Sequence, residues 1–354
     1  MRRHAKDVRP GWPPIDATEP SIKQMTSRTG QEALLQQLSD GRFHSGQRLA
    51  ALLGVSRTAV WKRLQRMQAE LGIEVQSVRG RGYRLAAPLE LLNEAAIRQH
   101  LSSSAGARVE ELLLCSVVDS TNNAAAASDA PQPGRAKVWL AEHQTAGRGR
   151  RGRQWVSVFG SNLYLSLAWQ FERALSELAG LSLATGVIVA EMLAANRVDG
   201  LVLKWPNDVL VDGRKVCGIL VEISGETAGP ATAVIGIGLN LRLSRNAAEQ
   251  IDQPWTDLSR LGVSTLSRNR LAARLVEGLV SACTTFEACQ LAPFIERWQA
   301  FDGLQDKPVS ILHGPNTVDG IYRGIAPNGA VRVETPAGVT EHLAGEVSLR
   351  AVVS

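Results

Sequence analysis

Cysteine is scarce: Cys115, Cys217, Cys283 and Cys289 are the only four in 354 residues, with no C-x-x-C pair and no close histidine partner. That argues against a zinc ribbon and a disulfide framework. The six histidines are scattered over positions 4, 44, 100, 143, 313 and 342 without an H-E-x-x-H spacing, so no structural metal is expected. The opening Met1-Arg2-Arg3-His4 leads into no apolar core of the kind a signal peptide needs. The most apolar stretch, residues 178–195, is interrupted by Ser182, Thr185, Gly186 and Glu191, which marks a buried helix rather than a membrane span. A cytoplasmic protein with no membrane partner is expected.

The chain is 44% hydrophobic and 21% charged, which excludes a wholly disordered chain or a fibrous rod. Its length suits two or three domains. The formal charge of +5 is unevenly spread. Residues 1–87 carry 15 Lys+Arg against 7 Asp+Glu, a net of +8, so the remainder is net −3. One end is basic and the body is not.

Residues 1–27, rich in Pro, Arg and Thr, read as a disordered extension. From residue 28 to 87 the pattern is helical, with apolar stripes at Ala33, Leu34, Leu35 and Leu38, then Leu49, Ala50, Leu52 and Leu53. A turn at Gly54-Val55-Ser56 separates two helices at helix-turn-helix spacing, with Ser56 placed to cap the second. Residues 75–85 then read as a hairpin with a basic tip, the wing of a winged helix. Gly46, Ser56, Arg57, Thr58, Lys62 and Arg63, flanked by Arg79 and Arg81 on the wing, form the expected DNA-binding surface. Such charge supplies salt-dependent phosphate contacts while a helix N-terminus reads base edges. A solvated basic face or a protein-docking module is the alternative, and Trp61 reads as core or wing packing.

Residues 88–303 alternate short apolar runs with longer helical stretches, an α+β or α/β pattern. From 304 to 354 short strands follow at even spacing, separated by Gly, Pro and Asn, which suggests a small β-barrel. Within the central region, residues 141–153 (AEHQTAGRGRRGR) carry four arginines spaced by glycines. Gly147, Gly149 and Gly152 match G-x-G-x-x-G, yet strand-like residues follow where a dinucleotide fold needs a helix. The loop reads instead as an anion cradle of backbone N–H groups and guanidinium forks, against the alternative of a solvated charge run. Ser120, Thr121 and Asn122 stand between a strand and a helix, suited either to bonding a small polar group or simply to capping. Lys204 to Asp208 and Lys215 to Glu222 bring two lysines to strand ends, where they could surround a phosphoryl group and a metal ion or be ordinary surface lysines. Gly236 to Asn240 allows a close backbone approach to a planar ligand, or a tight bulge.

Taken in order, these five segments following a winged helix resemble the biotin protein ligases, in particular the bifunctional class that also represses the biotin operon. The resemblance covers roughly residues 28–354. It implies an α+β multidomain protein with an N-terminal winged helix-turn-helix, a central ligase domain with a mixed sheet and a small C-terminal β-barrel. It also implies a reaction: biotin and ATP, with Mg²⁺, give biotinyl-5′-adenylate, and biotin then passes to a lysine of the biotin carboxyl carrier protein, a subunit of acetyl-CoA carboxylase. On this resemblance Lys215 and Arg148 are catalytic. Ser120, Thr121, Asn122, Gln144, Arg148, Gly149, Arg150, Lys215 and Gly218 surround biotin. Arg150, Arg153, Trp155, Asn207, Gly236, Asn240 and Arg350 hold the nucleotide, and Asp208 is a candidate Mg²⁺ ligand. Operator DNA and a homodimer formed in the adenylate-bound state are the remaining expected partners. The rival readings are a winged-helix regulator that senses a small molecule without ligase activity, and a lipoate ligase.

Overall fold

The computed structural model describes residues 22–226, 229–263, 266–313, 316–344 and 348–351. Helices α1 (Ile22–Leu38), α2 (Gly46–Leu53) and α3 (Arg57–Leu71) precede a hairpin of β1 (Val75–Val78) and β2 (Gly82–Leu85). Residues 1–21 of the expected disordered extension lie outside the described residues, but Ile22 to Ser27 are helical, a correction to that expectation. No proline follows Pro20 in this stretch, so nothing in it stops the helix from extending backwards. Ser45 Oγ accepts from Arg48 N–H and Ser56 Oγ from Ala59 N–H, so both helices of the helix-turn-helix are capped by side chains. Leu34, Leu38, Leu49, Val60, Leu64 and Leu85 close the core. The wing folds tightly against the turn before α2: Gly82 has φ +101, and a Cβ there would lie 2.0 Å from the His44 carbonyl oxygen, so only glycine fits.

The central unit begins with α4 (Glu94–Gln99), α5 (Ser103–Arg108), β3 (Val109–Val118), α6 (Thr121–Ala126), β4 (Ala136–Gln144) and β5 (Leu163–Phe171). It continues through α7 (Leu181–Ala195), β6 (Leu201–Lys204), β7 (Asp208–Val211), β8 (Arg214–Gly225), β9 (Ala231–Leu239), α8 (Arg245–Ala248), α9 (Arg268–Cys289) and α10 (Ala292–Gln299). The sheet order is β3-β4-β5-β9-β8-β7-β6, with only β3 and β4 parallel. Alternation along each strand sorts its two faces. Leu163, Leu165 and Leu167 of β5, Cys217 and Ile219 of β8, and Ile235, Ile237 and Leu239 of β9 enter the main core with α7 and α9. The intervening residues, among them Ser166, Gly218, Leu220, Glu222, Gly236 and Gly238, turn to the opposite face, where α6 packs. The apolar α7 is buried along nearly its whole length, as a central core helix is.

The remaining strands β10 (Pro308–His313), β11 (Asn316–Ile325), β12 (Val331–Thr335), β13 (Gly338–His342) and β14 (Ser348–Ala351) form one antiparallel sheet, order β13-β12-β11-β10-β14, where the small β-barrel was expected. Val309, Ile311, Tyr322 and Val331 join the main core, and Trp205 Nε1–H donates to the Gly329 carbonyl at 3.0 Å. This unit is thereby packed onto the central sheet where β6 turns into β7.

The winged helix is tied down as firmly. Phe159 of the central unit completes the winged-helix core, and its N–H donates to the Leu71 carbonyl at 3.0 Å. Beside it the connecting segment threads a buried polar cluster. Arg268 donates to Glu142 Oε2 at 2.8 Å, to the Glu90 carbonyl at 2.6 Å and to the Asn162 carbonyl at 2.8 Å. Glu142 also accepts from Leu92 N–H, and Asn269 from Asn93 N–H. Removing one member of a buried ion pair strands the other charge in a low-dielectric setting. Arg268→Ala is therefore expected to cost about 3–5 kcal/mol of stability in a denaturant titration; a loss below about 1 kcal/mol would show that the cluster does not hold the connecting segment.

Candidate functional site

On the α6-side face of the sheet, at the ends of β7, β8 and β9, lies a cavity of about 570 Å³. Its floor is made by Gly218 and Gly238, directly paired across β8 and β9. The Trp155 indole lies on them: a Cβ at Gly238 would fall 2.5 Å from Trp155 Cε2, and one at Gly218 2.7 Å from Trp155 Cζ3. Any side chain at either position would displace the ring. Lys215 Nζ stands 2.7 Å from Asp208 Oδ1 and 5.4 Å from the Trp155 ring centroid, so a cation, a carboxylate and an aromatic face meet at one point.

The glycine-rich loop closes the cavity from above. Arg150 reaches Asn207 Oδ1 at 3.3 Å and also donates to the Ala344 carbonyl, so it spans from the central sheet to the C-terminal unit. Burial first, and repulsion from Arg151 second, pull its guanidinium below the usual arginine range. An anion beside it would relieve that cost. Asn207 is fixed in turn by donating to the Ile219 carbonyl, next to a cis Trp205–Pro206 bond. Gly149, Arg153, Gly236 and Asn240 also line the cavity, although the Asn240 amide is engaged with the Thr256 carbonyl at 3.2 Å. Arg148 does not line it. Its guanidinium donates to Glu222 and Asn123. Arg350 lies on β14 opposite Ser310, and its side chain falls outside the described residues.

Behind Gly236 sits a buried polar group. Thr121 donates through both N–H and Oγ1 to Gln144 Oε1, at 2.8 and 3.1 Å. Ser166 Oγ lies 2.7 Å from Thr121 Oγ1 and 2.6 Å from Asn122 Oδ1. Ser120 has the backbone of a helix cap, yet its side chain makes no capping bond, so the capping alternative does not account for it. Ser166 and Glu222 were not picked out from the sequence. The signal for Ser166 was its place as a polar residue on the non-core phase of an otherwise apolar strand.

The residues expected to contact DNA fall on two sides of α3. Arg57, Thr58, Lys62, Arg79 and Arg81 are exposed, with Arg81 stacked over Phe43 at 4.2 Å. Gly46 is buried against the Tyr83 ring, so its place is in packing, and Arg63 is turned toward Gly30 of α1. Trp61 is 48% exposed beside Lys62, a correction to the reading of it as packing: it falls on the outer row of α3, one turn from Thr58 and Gln65.

The chain matches the biotin/lipoate A/B protein ligase family over residues 114–240 and an HTH domain over residues 31–84. These matches define a biotin/lipoate-type ligase domain preceded by a helix-turn-helix module. The chain is 40% identical over 317 residues to the bifunctional ligase/repressor BirA of Salmonella typhimurium, covering 90% of this chain and 96% of that protein. It is 30% identical to the bifunctional ligase/repressor BirA of Bacillus spizizenii, covering 87% and 94%. Among solved structures, the biotin protein ligase of Aquifex aeolicus in complex with biotin and ATP superposes with a TM-score of 0.59 at 28% identity, covering 69% of this chain and all of that one. The chain belongs to the bifunctional ligase/repressor family.

His143, at the end of β4, adds a titration that reports on this region. Burial depresses its pKa from 6.5 to about 4, and its Nδ1 lies 3.2 Å from Ser157 Oγ, which also accepts from Gln144 N–H. The folded protein thus keeps the ring neutral where the unfolded chain protonates it. The stability this contributes is complete above pH 6.5 and falls away as pH drops toward 4, by about 3 kcal/mol in all. Denaturation of wild type and His143→Gln across pH 7 to 4 should show the wild type losing more stability over that window. Parallel curves would refute the burial of a neutral ring.

Proposed function

We propose that this protein is an ATP-dependent biotin protein ligase that joins biotin to ATP as biotinyl-5′-adenylate and transfers biotin to a lysine of a biotin carboxyl carrier protein. It also represses transcription through its winged helix. The observation that carries the reading is the meeting of Arg150, Lys215 and the Trp155-on-glycine platform in one cavity.

The first step brings two anions together. A biotin carboxylate oxygen attacks the α-phosphorus, an acyl-phosphate bond forms, and pyrophosphate departs. Fixed cations must hold both groups and spread the charge that develops. Arg150, half-buried and bridging two units, and Lys215, held by Asp208, are suited to this. Arg148, paired with Glu222 instead, belongs to the anchoring of the loop, so the catalytic role first assigned to it passes to Arg150. The platform offers a flat surface to a purine or to biotin's bicyclic ring, and the Thr121, Asn122, Gln144 and Ser166 cluster suits a ureido head. In the second step the carrier lysine attacks the acyl carbon, releasing AMP and losing a proton.

Among the described residues no group of three His, Cys, Asp or Glu side chains is gathered as a metal site. Mg²⁺ characteristically binds through one or two carboxylates together with substrate phosphates. Asp208 at the cavity fits that pattern, and the ion would offset the charge of the triphosphate. The exposed α3 and wing arginines suit the phosphates of operator DNA. Beyond Gly218, β8 has no strand on its β7 side among the described residues, an edge on which a second copy could pair in the adenylate-bound state. Carrier, ATP and DNA would all be met in the cytoplasm.

Incubation of the purified protein with biotin, ATP-Mg²⁺ and a carrier domain should yield the biotinylated carrier and pyrophosphate. Lys215→Ala should slow adenylate formation by about 10²–10³-fold with little change in melting temperature. Absence of transfer, or equal transfer of lipoate, would overturn the reading; a normal rate in Lys215→Ala would overturn the role of that lysine.

A further inference from the structure

The mechanism leaves unexplained a carboxylate on the cavity-facing row of β8. Glu222 follows Gly218 and Leu220 at two-residue spacing, so it stands on the same face as the cavity floor. Its two oxygens serve two different segments. Oε2 accepts from Asn122 Nδ2–H at 2.8 Å, and Oε1 pairs with the Arg148 guanidinium. Arg148 also donates to Asn123 Oδ1, and Asn123 Nδ2–H donates to Asp119 Oδ2 at 2.6 Å. One acidic side chain thus joins the buried polar cluster to the base of the glycine-rich loop.

An ionised carboxylate only accepts hydrogen bonds. The Asn122 carboxamide must therefore turn its NH₂ toward Glu222, which leaves Oδ1 facing Ser166 Oγ at 2.6 Å. The Asn122 Nδ2–H also donates to the Leu220 carbonyl at 3.3 Å, in agreement with that orientation. Oδ1 packs directly on Gly236, where a Cβ would fall 2.1 Å from it, and Gly236 lines the cavity. Asn122 is only 4% exposed, so a flipped amide would set its carbonyl oxygen against the Glu222 carboxylate and the Leu220 carbonyl, a buried clash of acceptors. The same carboxylate holds Arg148 away from the cavity, while the next arginine in the loop, Arg150, lines it.

We infer that Glu222 is a positioning residue with two separable tasks: it fixes the Asn122 carboxamide as an acceptor in the polar cluster behind Gly236, where the biotin head would lie, and it anchors the loop through Arg148. This rests on the cavity being the biotin site. The two tasks differ in what they require. Fixing Asn122 needs an acceptor, which a glutamine carbonyl also supplies, whereas anchoring Arg148 needs the negative charge.

The test uses the full chain with Glu222→Ala and Glu222→Gln. KM for biotin and for ATP is measured in carrier biotinylation, and the rate of trypsin cleavage at residues 148–153 is measured in the ligand-free protein. Glu222→Ala should raise the biotin KM about tenfold, the scale of a lost buried charged hydrogen bond, with the ATP KM within about twofold. Glu222→Gln should restore the biotin KM to within about threefold of wild type. Both variants should be cleaved about two- to fivefold faster, as for loss of a half-exposed ion pair. An unchanged biotin KM in Glu222→Ala, an equal rise in both KM values, or a glutamine variant matching the alanine variant in biotin KM would overturn the first task. Wild-type cleavage rates in Glu222→Gln would overturn the second, and that variant decides the matter even where the alanine variant does not fold. Wild-type transfer is assayed alongside, so failure of the biotin reading itself appears as no activity in any sample.

Discussion

The pleat of β8 and β9 is the constraint from which the site follows. A strand delivers successive side chains to opposite faces, so each residue of these two strands belongs either to the core or to the cavity. Cys217, Ile219, Ile235 and Ile237 are spent on the core beneath α7 and α9. Gly218, Gly236 and Gly238 are the intervening positions, and the absence of side chains there opens a hollow into which the Trp155 indole and the Asn122 carboxamide pack. Slipping either strand by one residue would exchange isoleucines for glycines and destroy both.

Around that floor, charge is arranged by pairing rather than by number. The body of the chain is net acidic, yet its arginines are gathered on one loop, and their neighbours decide what each does. Arg150 reaches Asn207 and the C-terminal unit, which places it at the cavity. Arg148, two residues earlier, is held by Glu222. The buried cluster of Glu142 and Arg268 ties the segment leading from the winged helix to the strand that ends at Gln144, so the DNA-binding unit and the cavity share β4 as a common support.

Much of this was readable in advance where the cause is local. Ser56 caps its helix as its type suggests, the basic hairpin is a wing, and the evenly spaced C-terminal strands form one antiparallel sheet. The segments around Lys204 to Asp208, Lys215 to Gly218 and Gly236 to Asn240 converge because they lie side by side across β7, β8 and β9. What escaped was set by distant partners. That Arg148 pairs with Glu222, 74 residues on, while Arg150 lines the cavity could not be read from their spacing. Ser166 was hidden in an apolar strand whose phase is visible only once its core face is known. Trp61 looked like packing because indoles usually are buried, but its neighbours on α3 turn it outward.

The central claim is that the glycine floor under Trp155 is the binding surface for the substrates. Calorimetric titration of Gly238→Ala with biotin and with ATP tests it most directly, since the added Cβ meets the indole at 2.5 Å while the core face of β9 is untouched. The account predicts binding weakened by at least about tenfold, the scale of one misplaced buried contact, with a melting temperature close to that of wild type. Wild-type affinity for both ligands in that variant would contradict it.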